Sequence, residues 1–134
     1  KLSHIVVTTK NNGAVPDLPV DCAVEVSSYI GSTGARPIAF GPLEPAERGW
    51  VQCMKNMELC VEEAAVTGDY GTLLQAFTIN PQIVAGAKAK RIMDELLIAH
   101  KKYLPQFADT IARLEEEGVT IKDDVARELT EKGL

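Results

Sequence analysis

Cys22-Ala23-Val24-Glu25-Val26-Ser27-Ser28-Tyr29-Ile30 decides the fold. Cys22, Val24, Val26, Ser28 and Ile30 fall on one side of an extended chain, and Ala23, Glu25, Ser27 and Tyr29 on the other. A two-residue period of this kind predicts a strand with one packed face and one wet face. Downstream, Gly31-Ser32-Thr33-Gly34 predicts a turn, and Arg36 to Phe40 a short further strand with Pro37 suited to an edge. Strand, turn and strand of these lengths make an antiparallel hairpin. Upstream, the β-branched and apolar run His4 to Thr9 predicts another strand. Asn11-Asn12-Gly13 breaks it, because Asn and Gly accept positive φ cheaply, and Pro16 and Pro19 keep the following stretch extended.

Beyond Glu44 the period becomes helical. Trp50, Met54, Met57, Val61, Ala64 and Ala65 recur at three and four residues within a predicted helix from Ala46 to Val66. Gly68 ends it and Asp69 caps a short successor whose stripe is Tyr70, Leu73, Leu74 and Phe77. Asn80-Pro81 reads as a cap with proline at the first helical position of a long helix. On that helix Ala89, Ile92, Met93, Leu96, His100, Tyr103 and Leu104 share a face, and Pro105 stops or kinks it. Residues 108–134 read as two short helices split at Gly118, with eight acids and four bases. A charge run of this sort is a solvated face or an arm for a partner subunit. The expected class is therefore α+β: antiparallel strands, then a helical segment.

The 134 residues carry 14 basic and 19 acidic side chains, a net charge of −5, and 46% of them are apolar. That is globular composition, and an acidic chain without a basic stripe excludes nucleic acid and anionic membrane as expected partners. No apolar run approaches the ~18–20 residues that span a bilayer. Cys22, Cys53 and Cys60 form no disulfide framework, which predicts free thiols and a cytoplasmic home. Beginning at Lys1 without methionine and almost at once inside a strand, the sequence is expected to be the C-terminal piece of something longer.

Catalytic equipment is sparse. His4 and His100 are the only histidines, and His100, five residues from Glu95, has no metal-ligand partner at helical spacing. On its apolar stripe it is expected to be a core or interface histidine. Cys53 and Cys60 share a helical side, yet two thiols with no third ligand make a poor zinc site, and all three cysteines read as small buried groups. Glu62-Glu63 and Asp94-Glu95 are adjacent pairs that diverge on a helix, as solvated carboxylates do. Gly13, Gly31 and Gly34 make no dinucleotide fingerprint, and Ser27-Ser28 no nucleophile elbow. Catalytic and metal-ligating residues are both expected to be none. The backbone of the Asn12-Gly13 turn is the one place suited to approach a substrate or cofactor closely, with a plain strand connection as the other reading.

Asn11-Asn12-Gly13-Ala14-Val15-Pro16-Asp17-Leu18-Pro19, followed by Ala23-Val24-Glu25-Val26, resembles the N-x-G-x-[IV]-x-x-L-P…[AV]-V-E-V segment of glycoside hydrolase family 4. Pro37-Ile38-Ala39-Phe40-Gly41-Pro42-Leu43 is similar to that family's P-I-x-x-G-x-L turn. Glu62-Glu63-Ala64-Ala65-Val66-Thr67-Gly68-Asp69-Tyr70 is similar to its E-A-A-x-T-G-D-Y junction. The run from Ile92 to Phe107 resembles its closing I-L-D-E-M-L-x-A-H-x-x-Y-L-P-Q-F. Four motifs in order cover residues 8–107, with wording nearest the 6-phospho-β-glucosidase branch; residues 108–134 match nothing in the family.

The resemblance implies the C-terminal domain of a fold related to lactate and malate dehydrogenases, with residues 1–107 on the substrate side and 108–134 an acidic helical tail. It implies a parent enzyme that hydrolyses phosphorylated β-glucosides or disaccharides with NAD and a divalent metal, Mn²⁺ in most of the family. NAD there takes hydride from C3, a tyrosine removes the C2 proton, the aglycone leaves, water adds and hydride returns. The NAD loop, metal-binding cysteine and histidine, catalytic tyrosine and phosphate-binding arginine of the family all lie upstream of this segment. Cys22, His4, Tyr29, Tyr70 and Tyr103 fall outside those motifs. The fragment is thus expected to bind no cofactor alone, to be inactive, and to serve in cleft-wall packing and a dimer or tetramer interface. The alternative is a stand-alone interaction or regulatory module with a degenerate glycosidase fold.

Overall fold

The computed structural model describes residues 3–83, 86–122 and 131–132, and the chain divides into two compact units, Lys1–Gln52 and Cys53–Leu134. In the first, three strands form an antiparallel sheet of order β1-β2-β3: β1 Ser3–Lys10, β2 Ala23–Gly31 and β3 Gly34–Pro37. β1 pairs along its whole length with β2, from Ser3 opposite Ile30 to Lys10 opposite Ala23, and Ser28 to Gly31 of β2 pair with β3. The alternation in β2 is as expected: Cys22, Val24, Val26 and Ser28 are buried, and Ala23, Glu25 and Tyr29 are exposed. With Ala14 and Val15, the three apolar members build the core of this unit.

Two expectations for this unit need correction. The third strand ends at Pro37, and Phe40, expected inside it, is exposed because Ile38 is the last residue to donate to β2, at Ser27. Phe40 and Gly41 instead donate to the carbonyl of Ala14. The stretch with Pro16 and Pro19 is a chain of tight turns rather than extended, since local hydrogen bonds such as Leu18 to Val15 and Cys22 to Pro19 outweigh proline's bias.

Helix α1, Pro45–Thr67, starts with proline at its first position and Glu47 in its first turn, where both are favoured. Its expected stripe fails: of those six residues only Ala64 is buried, and Trp50 is 62% exposed. Gly68 terminates the helix as expected, with φ +74° and its N–H on the carbonyl of Ala64. Asp69 then caps α2, Tyr70–Ile79, by accepting from the Thr72 N–H at 2.6 Å. One peptide unit thus closes a helix and opens the next.

Asn80-Pro81 does not start the third helix. Asn80, extended as a residue before proline must be, ends α2 and holds a turn by accepting from the Gln82 N–H at 2.9 Å. Helix α3 is Ala87–Ala99, followed by single 3₁₀ turns at Lys101–Tyr103 and Pro105–Phe107, and then α4, Ala108–Glu116. Its buried face is Ala89, Met93, Asp94 and Leu97; of the expected stripe, Ile92, Leu96 and Tyr103 lie outside. A backbone that leaves the α-helix after Ala99 carries Tyr103 off the stripe. Met93, Leu97, Phe107, Ile111 and Leu114 close with Ala64 into the core of the second unit. α4 thereby buries one face, while Arg113–Glu117 and Lys101–Glu115, each 2.7 Å, lie on its wet one. The second expected tail helix falls largely outside the described residues.

Candidate functional site

Asn12 and Gly13 sit at the exposed end of the turn-rich loop from Asn11 to Cys22, both with positive φ, +47° and +82°. The residue that shapes this loop is one position earlier. Asn11 is fully buried, and its side-chain amide faces the carbonyls of Val15 (3.0 Å), Leu18 (3.2 Å) and Pro19 (3.0 Å) as donor. Its side-chain oxygen accepts from the Val15 N–H at 2.8 Å. Its backbone N–H reaches the Cys22 carbonyl, and the Asn12 N–H that of Val20, both at 2.8 Å. One carboxamide therefore satisfies backbone groups that the loop buries, as buried polar groups require. The sequence carried a signal for it: Asn11 extends the inward parity of Val7 and Thr9 by one more step of two.

A second tie fixes the loop against the start of α1. Asp17 accepts from the Leu43 N–H at 2.6 Å and lies 3.3 Å from the Arg48 guanidinium. Arg48 also donates to the Leu43 carbonyl at 2.9 Å, and Gln52 to the Asp17 carbonyl at 2.9 Å. The loop is rigid at its base and open at the Asn12-Gly13 end.

The other polar centre lies in the second unit. Asp94, expected as a solvated carboxylate, is buried, accepting from the Tyr70 hydroxyl at 2.7 Å and the Lys90 ammonium at 2.5 Å. The Arg113 guanidinium stands over the Tyr70 ring, 5.4 Å from its centroid. Pairing makes the burial tolerable, which adjacency in sequence could not reveal. Glu95 instead faces outward to Arg91, 3.5 Å away, and accepts from the Lys122 N–H. Burial, then the Asp94 carboxylate, holds the Tyr70 hydroxyl above its ordinary 10.0, and the bond to Asp94 holds Lys90 above its ordinary 10.5. Both groups grip their protons harder in the folded state, so their contribution to stability is present below about pH 10 and lost as pH rises beyond it. We expect Tyr70→Phe to cost about 1–2 kcal/mol at pH 7 and to flatten the alkaline fall of the melting temperature. Thermal melts at pH 7 and pH 10.5 check this.

His4 is exposed and stacks at 5.5 Å on Tyr29 across the sheet. His100, expected in a core, is exposed at the end of α3, its Nδ1 3.0 Å from the Leu96 carbonyl, because the helix stops beneath it. Cys22 is buried as expected; Cys53 and Cys60 are half-buried, and the Cys53 thiol donates to the Ile79 carbonyl at 3.0 Å. Among the described residues no group of three or more His, Cys, Asp or Glu side chains is placed to hold a metal ion. Among the described residues the hydrogen bonds and ion pairs join neither a nucleophile to a base nor two carboxylates.

This α+β arrangement of sheet and helices is shared with solved glycosidases, and residues 1–83 match the family 4 glycosyl hydrolase C-terminal domain. The chain belongs to that family. A probable 6-phospho-β-glucosidase of Bacillus subtilis is 52% identical over 105 residues, 78% of this chain and 24% of that protein. A crystal structure of a 6-phospho-α-glucosidase from gut microorganisms, in complex with NAD and glucose-6-phosphate, superposes with a TM-score of 0.74 at 32% identity, over 78% of this chain and 24% of that one. Another, in complex with NAD and Mn²⁺, does so with a TM-score of 0.71 at 28% identity, over 74% and 23%. The chain spans about a quarter of the length of the curated relatives it matches.

Proposed function

We propose that this chain is the C-terminal part of a cytoplasmic 6-phospho-β-glucosidase that cleaves phosphorylated β-glucosides, and that it is inert by itself. The 52% identity to a probable 6-phospho-β-glucosidase, against 32% and 28% to the 6-phospho-α-glucosidase structures, supports the choice of linkage. NAD and Mn²⁺ are proposed for the longer protein. NAD supplies a temporary oxidation at C3 of the sugar, and the metal polarises the oxygens beside it. The described residues do not fit a metal, so no step of that chemistry is assigned to a side chain of this segment. Its own contribution is to wall the sugar cleft with the loop that Asn11 stiffens and to pack in the assembled enzyme, a homo-oligomer.

The test is hydrolysis of a 6-phospho-β-glucoside by the full-length protein, with and without NAD and Mn²⁺. Cleavage that vanishes when either is withheld supports the reading; a folded protein that cleaves nothing under any condition overturns it.

Asn12 is proposed to face the substrate, because its carboxamide leaves the rigid loop on the exposed side. Asn12→Gly keeps a backbone that accepts φ +47° and removes only the carboxamide. In the full-length enzyme it is expected to raise KM about tenfold, the worth of one ligand hydrogen bond, at unchanged melting temperature. An unaltered KM leaves the turn a mere strand connection.

A further inference from the structure

Among its described residues the second unit exposes six large apolar side chains, Leu59, Val61, Val66, Ile92, Leu96 and Tyr103, and three of them come together. Val61, Leu96 and Tyr103 line one open groove of about 390 Å³, and Ile92 lies a turn before Leu96 on α3. Its lining includes the i, i+4 pair Val61 and Ala65 of α1, the i, i+4 pair Leu96 and His100 with Tyr103 beyond, and Phe77 of α2. Leu96 is 42% and Tyr103 62% exposed, so apolar surface of the groove meets water. A contiguous patch of that kind marks a surface that something covers.

We propose that the groove receives an apolar helix face from the part of the full-length protein that precedes Lys1. Apolar side chains at helical spacing on two different helices border the groove, which suits it to the ridge of a further helix. The occupant is argued from length. Relatives are about four times as long as the matched segment, and that segment is their C-terminal domain, so some three-quarters of the polypeptide stands on the same chain. A covering helix on the same chain acts at about millimolar effective concentration, which a second copy at cellular levels does not match. Apart from His100, Gln106 and the Tyr103 hydroxyl the lining is apolar, so the inserted face is expected to be aliphatic or aromatic with polar flanks. The inference rests on the reading of the chain as one part of a longer glycosidase, and it names the surface through which that part is joined.

The experiment is photo-cross-linking in the full-length protein with Tyr103→p-benzoylphenylalanine, and with Leu96→p-benzoylphenylalanine as a second position in case the first variant does not fold. After irradiation and digestion, the expected product has the mass of one chain and joins the probe to a peptide upstream of Lys1. A product with the mass of two chains overturns the proposal in favour of self-association. Cross-links confined to this segment's own residues, or none above the unirradiated control, overturn it in favour of an open groove. The glucoside assay is run separately on the unmodified enzyme. Failure there with an upstream cross-link removes the substrate reading alone; activity with no upstream cross-link removes the docking inference alone.

Discussion

Gly68→Ala is expected to be the most destabilising single-methyl change in the chain. Gly68 holds φ +74°, where an L side chain costs roughly 1–2 kcal/mol. Its α-carbon also faces the backbone of the Pro105–Phe107 turn: an added Cβ would stand 2.1 Å from the Gln106 carbonyl oxygen and 2.9 Å from its carbon. Neither neighbour is a flexible side-chain end, so the turn itself must move. That turn carries Phe107, a member of the core with Met93 and Leu114. Overpacking of this kind adds about 1–3 kcal/mol, for a total near 3–5 kcal/mol. Gly13→Ala is the internal control, since Gly13 has φ +82° but nothing within 4 Å of a Cβ, and is expected to lose only the conformational part, about 1–2 kcal/mol. Urea melts of the two variants separate the contributions; equal losses would mean that the close approach to Gln106 is not a constraint.

Asn11→Ala is expected to cost about 3–5 kcal/mol. It removes four hydrogen-bond contacts, and also leaves the Val15 N–H and the carbonyls of Val15, Leu18 and Pro19 facing a small hole in place of a carboxamide. Val15 is buried beside it, so its N–H and carbonyl meet water only if the loop opens, while the Leu18 and Pro19 carbonyls are part-buried. Each orphaned buried group carries a penalty of about 1–3 kcal/mol, relieved in part by that opening. Asn11→Asp is informative because it is nearly isosteric. A carboxylate still accepts from Val15 but turns like charge toward three carbonyl oxygens, so it is expected to be as damaging as alanine at pH 7. A melting temperature within a degree or two of the parent's for either variant would show that the loop is held by other means.

The parts of the fold legible in the sequence were those in which one residue's local chemistry is decisive. Alternation in Cys22 to Ile30 identified β2 and its buried side, and Gly68 and Asp69 identified a helix end and a cap, since φ and a side-chain acceptor act within a turn. Stripes on the helices were less legible. Trp50, Ile92, Leu96 and Tyr103 satisfy helical spacing but stay exposed, because periodicity marks an apolar face and not what lies against it. Asp94 is illegible for the converse reason: the Tyr70 hydroxyl that bonds it arrives from α2, and a tertiary hydrogen bond leaves no trace in neighbouring residues. In the candidate site, Asn12 and Gly13 were legible from the turn they form. Asn11 is masked by its neighbours: the two-residue parity of Val7 and Thr9 runs on to it, but Asn11-Asn12-Gly13 reads first as a strand break.

Asp17 gives the first unit a property that neither its sheet nor its loop has alone. A side chain from the β1–β2 connection is bonded to Leu43, 26 residues later, and to the residue that begins to lock α1, Arg48. The entry to the helix therefore has its lowest energy only when β1 and β2 are in register, because a slip would carry Asp17 away from its partners. A check on strand alignment is thus wired to an event far along the chain. Proofreading of this sort makes assembly slower, since a distant contact must close, but leaves few half-correct states in which to rest.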